Sequence, residues 1–217
     1  LDYHKTFDAY KKTKLHFMSH YPGISIGSDR IKIIQQDAIP QLMGQFHIQN
    51  VSLALAACHA LGENVSELEQ KLSRLIAPKG RFQTVDLGQP FSVIVDFAHT
   101  PDALETVLKD ALKQVAGNKD QLIVVFGCGG DRDQSKRKSM GRIAESYSQN
   151  IILTSDNSRS ESSNEIMGQI ATGITNPSVI KAMEHDRSTA IALAITHASH
   201  GDIVIIAGKG HETMQHC

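Results

Sequence analysis

Cysteine is scarce in this 217-residue sequence: Cys58, Cys128 and Cys217 stand far apart and show no C-x-x-C spacing. Three scattered thiols speak against a disulfide framework and a structural zinc site, and they fit a reducing compartment. Long apolar runs are missing too. No stretch reaches the ~18 residues that would span a bilayer, and Leu1-Asp2-Tyr3-His4 is too polar to open a signal peptide. Nor is there an excess of one charge. The 22 basic and 23 acidic residues leave a formal charge of −1, a poor match to the basic face that a phosphate backbone requires. The histidines, among them His16, His20, His185, His197 and His200, show no metal-ligand spacing. What remains is a globular protein of the cytoplasm, 41% hydrophobic and 21% charged, with no nucleic-acid partner and no membrane insertion. Its length suits one large or two ordinary domains.

The pattern along the chain changes near Ala77-Pro78-Lys79-Gly80, which reads as a domain boundary between residues 1–80 and 81–217. Ahead of it, residues 6–17 read as a helix with Phe7, Tyr10 and Leu15 on one face. Residues 23–26 and 31–34 are β-like. Residues 48–61 form an alanine-rich buried helix ended by Gly62. Ser66 with Glu69 reads as a capping box opening a helix whose inner stripe is Leu68, Leu72, Leu75 and Ile76. Beyond Gly80, apolar strands alternate with amphipathic helices. Strands are expected at 91–97, 122–126, 151–154, near Val179 and at 203–207. Helices are expected from Pro101, near 138–147, from Asn164 and over 188–198. The runs Leu122-Ile123-Val124-Val125-Phe126 and Ile203-Val204-Ile205-Ile206 lack alternation, so both their faces are covered. Residues 81–217 are therefore expected to form a doubly wound, Rossmann-like α/β domain. Ligands of such sheets sit at the carboxyl ends of the strands.

Four loops at those ends are rich in functional residue types. In Asp96-Phe97-Ala98-His99-Thr100-Pro101, Thr100 and Pro101 serve as N-cap and first helical residue, while Asp96 suits a ribose hydroxyl and His99 a nucleotide. Gly127-Cys128-Gly129-Gly130-Asp131-Arg132-Asp133 admits a ligand close to the backbone. Arg132, Lys136 and Arg137 are cations for phosphate or carboxylate, although a tight turn with solvated charges accounts for the same residues. Asp156-Asn157-Ser158-Arg159 is ordinary turn chemistry or a grip on a carboxylate through Asn157 and the planar fork of Arg159. In Ala207-Gly208-Lys209-Gly210-His211-Glu212, the Glu212 carboxylate suits an ammonium group. The front segment says less: Lys14 on a helix is ordinarily solvated, and Asn50 reads equally as a cap-region residue.

Together the segments 95–104, 126–133, 155–159 and 207–212 occur in the order and spacing of the Mur ligases, and the chain resembles their UDP-N-acetylmuramoyl-tripeptide synthetase branch over nearly its whole length. Leu1-Asp2-Tyr3-His4 followed by Lys14 looks like part of that family's central ATP-binding α/β domain, and residues 81–217 look like its C-terminal ligase domain. The resemblance implies an enzyme, and a monomer, that spends ATP with Mg2+ to turn a carboxylate of UDP-N-acetylmuramoyl-dipeptide into an acyl phosphate. The amino group of meso-diaminopimelate then attacks it. Lys14 would be the lysine carbamylated by carbon dioxide to become a magnesium ligand. Asn50 matches an adenine contact, Arg81 an ATP contact and Asp96 the ribose contact, with His99 beside the nucleotide. Arg132, Asp156, Asn157, Arg159, Gly208 and Glu212 match the diaminopimelate site, with Arg159 on the distal carboxylate and Glu212 on the distal ammonium.

The sequence departs from the family at several points. Ser158 stands where proline is usual, and His47 where asparagine is expected. The stretch between Lys14 and Met43 is shorter than the family's. A UDP-sugar domain, a P-loop, a metal-binding histidine ahead of Leu1 and the family's C-terminal tail are lacking, so an incomplete view of a longer enzyme is expected. A lysine-adding ligase, a folylpolyglutamate synthetase-like ligase and a degenerate nucleotide-binding scaffold are the competing readings.

Overall fold

The computed structural model describes residues 6–20, 31–40, 42 and 44–215. The segment ahead of Thr6, Met43 and the β-like run at 23–26 lie outside the described residues. Two compact units divide the chain, Leu1–Ile76 and Ala77–Cys217.

In the first unit, α1 (Phe7–His20) leaves Tyr10 and Leu15 exposed instead of forming the expected inner face. Residues 31–34 form no strand. The backbone N–H of Ile34 is instead satisfied by a side chain, donating to Ser52 Oγ at 3.0 Å, while that hydroxyl donates to Ile48 O. A segment whose donors are met this way needs no strand partner. α2 (Gln45–Ala60) starts three residues earlier than expected, so Asn50 lies inside the helix, exposed, and is no cap. The capping box at Ser66 is not formed either. Asn64 occupies the N-cap position of the short α3 (Val65–Glu69), and its Nδ2 donates to Glu67 Oε1 at 3.0 Å. The helix stops after five residues, and of the predicted stripe Leu72 is buried while Ile76 is 86% exposed. A helix of this length has little stability of its own.

The second unit is built around a six-stranded sheet in the order β1-β2-β6-β3-β4-β5. The strands are β1 (Gln83–Val85), β2 (Ser92–Asp96), β3 (Leu122–Phe126), β4 (Asn150–Thr154), β5 (Ile180–Glu184) and β6 (Ile203–Ala207). All pair in parallel except β1, which runs antiparallel to β2 and is too short to register in the hydrophobic pattern. The helices α4 (Pro101–Gln114), α5 (Ser135–Tyr147), α6 (Ser163–Ala171) and α7 (Arg187–His197) connect them. From β2 to β5 the strands step one way across the sheet; after β5 the chain returns through α7 to β6. Right-handed crossovers put the outward and returning helices on opposite faces. In agreement, α4, α5 and α6 pack side by side, and α7 lies on its own against β3, β4, β5 and β6. Every residue of β3 and β6 is buried. Ile123, Val125, Val204 and Ile206 meet Ala190 and Ala194 of α7, where small side chains let the helix come close. Among the described residues, no helix is long and apolar enough to cross a membrane.

Because β2, β6, β3 and β4 are neighbours, their carboxyl ends set four loops side by side. Central position also makes Phe126 critical. Phe126→Ala is expected to cost about 3–5 kcal/mol, measured by urea unfolding of the two proteins; an unchanged midpoint would show that the sheet does not depend on this side chain.

Candidate functional site

The β2 loop is fixed from inside. Asp96, 6% exposed, accepts the backbone N–H of Ala98 on Oδ1 and of Phe82 on Oδ2, both at 2.7 Å. Its carboxylate thus ties the strand end to the segment entering β1, where Phe82 holds a left-handed backbone (φ 47°). Above Asp96, the half-buried ring of Phe97 gathers polar groups. The Arg81 guanidinium lies 4.6 Å from its centroid, the His99 ring meets it edge-on at 4.7 Å, and His211 stands 5.7 Å away. Arg81, His99 and His211 are exposed, so the cluster offers a cation and imidazoles to a planar, anionic ligand.

At the next two loops, backbone passes directly over backbone. A Cβ at Gly127 would overlap the Thr154 carbonyl oxygen, and one at Gly130 the Ser158 carbonyl oxygen. Gly130 N donates to Asn157 O at 2.8 Å, and Arg159 Nη1 donates back to Gly130 O at 2.7 Å and to Asn157 O at 3.2 Å. Both of these bonds use Nη1, which leaves Nη2 of the fork for an incoming carboxylate. Arg132, on the same loop, is exposed and donates to its neighbour's carbonyl, Asp131 O, at 3.0 Å.

The β4 and β6 loops meet through Asn157. Its Nδ2 donates to Glu212 Oε2 at 3.0 Å, and its Oδ1 accepts from Lys209 Nζ at 3.3 Å. Lys209, 8% exposed, also donates to Glu212 Oε2 at 3.1 Å and to Met214 O at 2.7 Å. Partial burial opposes charge on Glu212, but the Lys209 and Asn157 hydrogen bonds outweigh it and lower its pKa. The group is therefore a carboxylate at neutral pH, with the bonds from Asn157 and Lys209 both falling on Oε2. Gly208 approaches Asp156 closely: a Cβ there would stand 3.0 Å from Asp156 Oδ2. Beside this cluster a cavity of about 490 Å³ is lined by Val95, Arg187, Ile206, Lys209 and Glu212 among others. Arg187 backs it, donating to Ala207 O at 2.8 Å and Ser155 O at 3.4 Å.

The structure thus brings Arg132, Asp156, Asn157, Arg159, Gly208 and Glu212 onto one edge, with Arg81, Asp96 and His99 on the β2 loop of the same unit. Lys14 and Asn50 belong to the other unit, both exposed, with Lys14 Nζ 5.5 Å from the Tyr10 ring. Two expected ligand cations are corrected. Lys136 donates to His99 O at 2.8 Å, pinning the β2 loop. Arg137 is fully buried and forks onto Glu161, with Nη1–Oε2 2.7 Å and Nη2–Oε1 2.9 Å. Glu161 went unnoticed because a lone carboxylate in Ser160-Glu161-Ser162 carries no periodic signal. Lys209 was quoted in its motif without a role, since spacing cannot reveal that its amine turns inward.

With this geometry described, comparison with known proteins is informative. The family described as "Mur ligase, glutamate ligase domain" matches residues 80–210, more than half of the sequence, and the chain belongs to it. The UDP-N-acetylmuramoyl-L-alanyl-D-glutamate--2,6-diaminopimelate ligase of Geobacillus kaustophilus is 45% identical over 175 residues, covering 81% of this chain and 35% of the relative. A solved structure of a ligase of that name is 42% identical, with a TM-score of 0.59 over 81% of this chain and 35% of that one. A Mycobacterium tuberculosis folylpolyglutamate synthase, solved with ADP and AMPPCP, shares the fold at 19% identity (TM-score 0.58, 77% of this chain and 38% of that one). The chain spans about a third of the length of these relatives.

Two outcomes test the geometry. Gly130→Ala is expected to lose about 1–3 kcal/mol by urea unfolding, and an unchanged midpoint would show slack between the loops. The Arg137 hydrogen bonds, aided by the Asp131 N–H, hold Glu161 down from 4.5 to about 2. A depressed carboxylate contributes stability that is present above its unfolded pKa and fades as pH falls from about 4.5 toward 2. Unfolding at pH 3 and pH 7 should therefore show a larger acid loss in the parent than in Glu161→Gln; equal losses would remove the pair from the acid response.

Proposed function

We propose that the chain supplies the amino-acid-binding part of an ATP-dependent ligase of the cytoplasm. That enzyme joins meso-diaminopimelate to UDP-N-acetylmuramoyl-L-alanyl-D-glutamate in peptidoglycan precursor synthesis. In this reading residues 81–217 are the C-terminal ligase domain and residues 1–80 part of the central ATP-binding domain. The observation that supports it most is the linkage of Arg159 and Glu212 through Asn157, a guanidinium suited to a carboxylate and a carboxylate suited to an ammonium on two joined loops. A diaminopimelate head carries those two groups on one carbon. The names of the relatives at 45% identity support the same substrate.

The reaction runs through transfer of the γ-phosphoryl group of ATP to a substrate carboxylate, giving an acyl phosphate and ADP. The amine of diaminopimelate attacks the acyl carbon, an amide forms and phosphate leaves. This chain's part is to bind and orient. Arg159 and Arg132 take carboxylates, Glu212 and Asp156 take ammonium, and Gly208 lets the amino acid lie against the backbone. Arg81, Asp96 and His99 take the nucleotide; Asn50, in the first unit, is by its match to the family a candidate for an adenine contact. Lys14, exposed on α1, is open to carbon dioxide and as a carbamate would offer magnesium one oxygen ligand. Among the described residues, no group of three or more His, Cys, Asp or Glu is placed to hold a metal.

Lysine lacks the distal carboxylate and would leave the Arg159 fork unanswered. Losing a buried charged partner typically costs about 2–5 kcal/mol. In the longest natural polypeptide that contains this sequence, phosphate release from ATP with UDP-N-acetylmuramoyl-dipeptide is expected with meso-diaminopimelate and not with L-lysine. Arg159→Ala should raise the KM for diaminopimelate at least about tenfold. Release with lysine alone would overturn the specificity, and an unchanged KM would remove Arg159 from the site.

A further inference from the structure

Arg137 is wholly buried, yet none of its bonds reaches a group assigned to ligand. Besides the fork onto Glu161, Nη1 donates to Gln169 Oε1 at 2.7 Å and Nη2 to Gly129 O at 3.1 Å. Glu161, on the β4 side, in turn accepts from the glycine loop, taking Asp131 N on Oε1 at 2.6 Å and Gln134 Nε2 on Oε2 at 3.1 Å. Asp131 closes the circuit by accepting Ser160 Oγ at 2.6 Å and Ser160 N at 3.3 Å. Two non-glycine residues on this circuit, Asp131 (φ 53°) and Arg159 (φ 52°), hold left-handed backbones, a conformation that persists only where its surroundings over-determine it. One of them is the arginine that faces ligand; the other directly precedes Arg132.

From this geometry we infer that the Arg137–Glu161 pair is a specificity-determining positioning device. It sets the separation and orientation of Arg132 and Arg159, so that the edge accepts an amino acid bearing two carboxylates and discriminates against one bearing a single carboxylate. The inference rests on the ligase reading above. Arg137 and Glu161 touch no substrate in it; they act through the backbone of the two loops. A rigid, bidentate fork suits that task better than a lysine's point charge, and the burial of Arg137 lessens screening of the pair by salt.

The test uses the longest natural polypeptide containing this sequence and compares the parent with Glu161→Gln, which preserves shape and removes the charge. Arg137→Lys, which keeps the charge without the fork, and Glu161→Asp serve as further variants should Glu161→Gln not fold. Steady-state KM values for meso-diaminopimelate, ATP and UDP-N-acetylmuramoyl-dipeptide are read together with kcat, thermal midpoint and equilibrium binding of diaminopimelate and L-lysine. In Glu161→Gln the KM for diaminopimelate is expected to rise roughly tenfold or more, as small displacements of binding groups do, with the KM for ATP within about twofold of the parent. The preference in binding diaminopimelate over lysine should fall by the same factor, and Glu161→Asp should restore part of it. A folded Glu161→Gln protein with the parent's preference would overturn the inference. So would a parallel rise in every KM with a lowered midpoint, the mark of general loosening. A parent that neither uses nor binds diaminopimelate would sink the ligase reading itself, and the inference with it.

Discussion

The carboxyl edge of this sheet depends on places where one stretch of backbone lies directly on another. Gly127 rests on the Thr154 carbonyl, Gly130 on the Ser158 carbonyl, and Gly80 on the backbone of Gly210 and His211. Any side chain at these points would part the loops by about the width of a methyl group, and the bonds across them are too short to survive that. Gly130 N to Asn157 O, Arg159 Nη1 to Gly130 O and Asn157 Nδ2 to Glu212 Oε2 all fall between 2.7 and 3.0 Å. Close approach comes first; the polar geometry follows from it. The same contacts help residues that begin on β4 and β6 to meet although β3 stands between their strands, for the glycines of the β3 loop let the β4 loop pass close over it.

The parallel core was legible in the sequence because burial on both faces leaves an unbroken apolar run, and β3 and β6 are such runs. Their order was not legible, since nothing in residues 180–207 says that β6 returns to the middle of the sheet. β1 escaped notice because three half-exposed residues make no pattern; its place is set by Asp96 reaching Phe82 N across the strand pair. The first unit read less well. Its β-like run at 31–34 and its capping box at Ser66 are local signals, and local signals lose when a side chain such as Ser52 Oγ or Asn64 Nδ2 offers the backbone or its neighbour another arrangement. The candidate site was legible as types of residue at strand ends. Which charges face ligand and which face inward was not, because Arg132 and Arg137 look alike in sequence and differ by five positions of helix and loop.

The inward-facing charges decide what the outward-facing ones can hold. Arg137 and Lys136 bind the protein to itself, while Arg132 is the exposed arginine of the β3 loop. On the β4 and β6 loops, Lys209 already supplies an ammonium to Glu212 and Asn157, and Arg187 interacts favourably with both Asp156 and Glu212. Two carboxylates are therefore offset by two cations before any ligand arrives.

In a site so balanced, a bare ammonium gains little on entering. It is drawn to Glu212 Oε1 but repelled by Lys209 nearby, and both charges shed water to meet. On the proposed reading a zwitterionic head would be matched differently: its carboxylate would take the open edge of Arg159 while its ammonium would take Glu212, and each new pair would screen the repulsion felt by the other. The end of a lysine side chain is the bare ammonium, and the far end of diaminopimelate is the zwitterion. Discrimination then does not require a clash with lysine. On the proposed reading it follows from the open edge of Arg159, which a zwitterionic head would answer and a bare ammonium would leave unanswered.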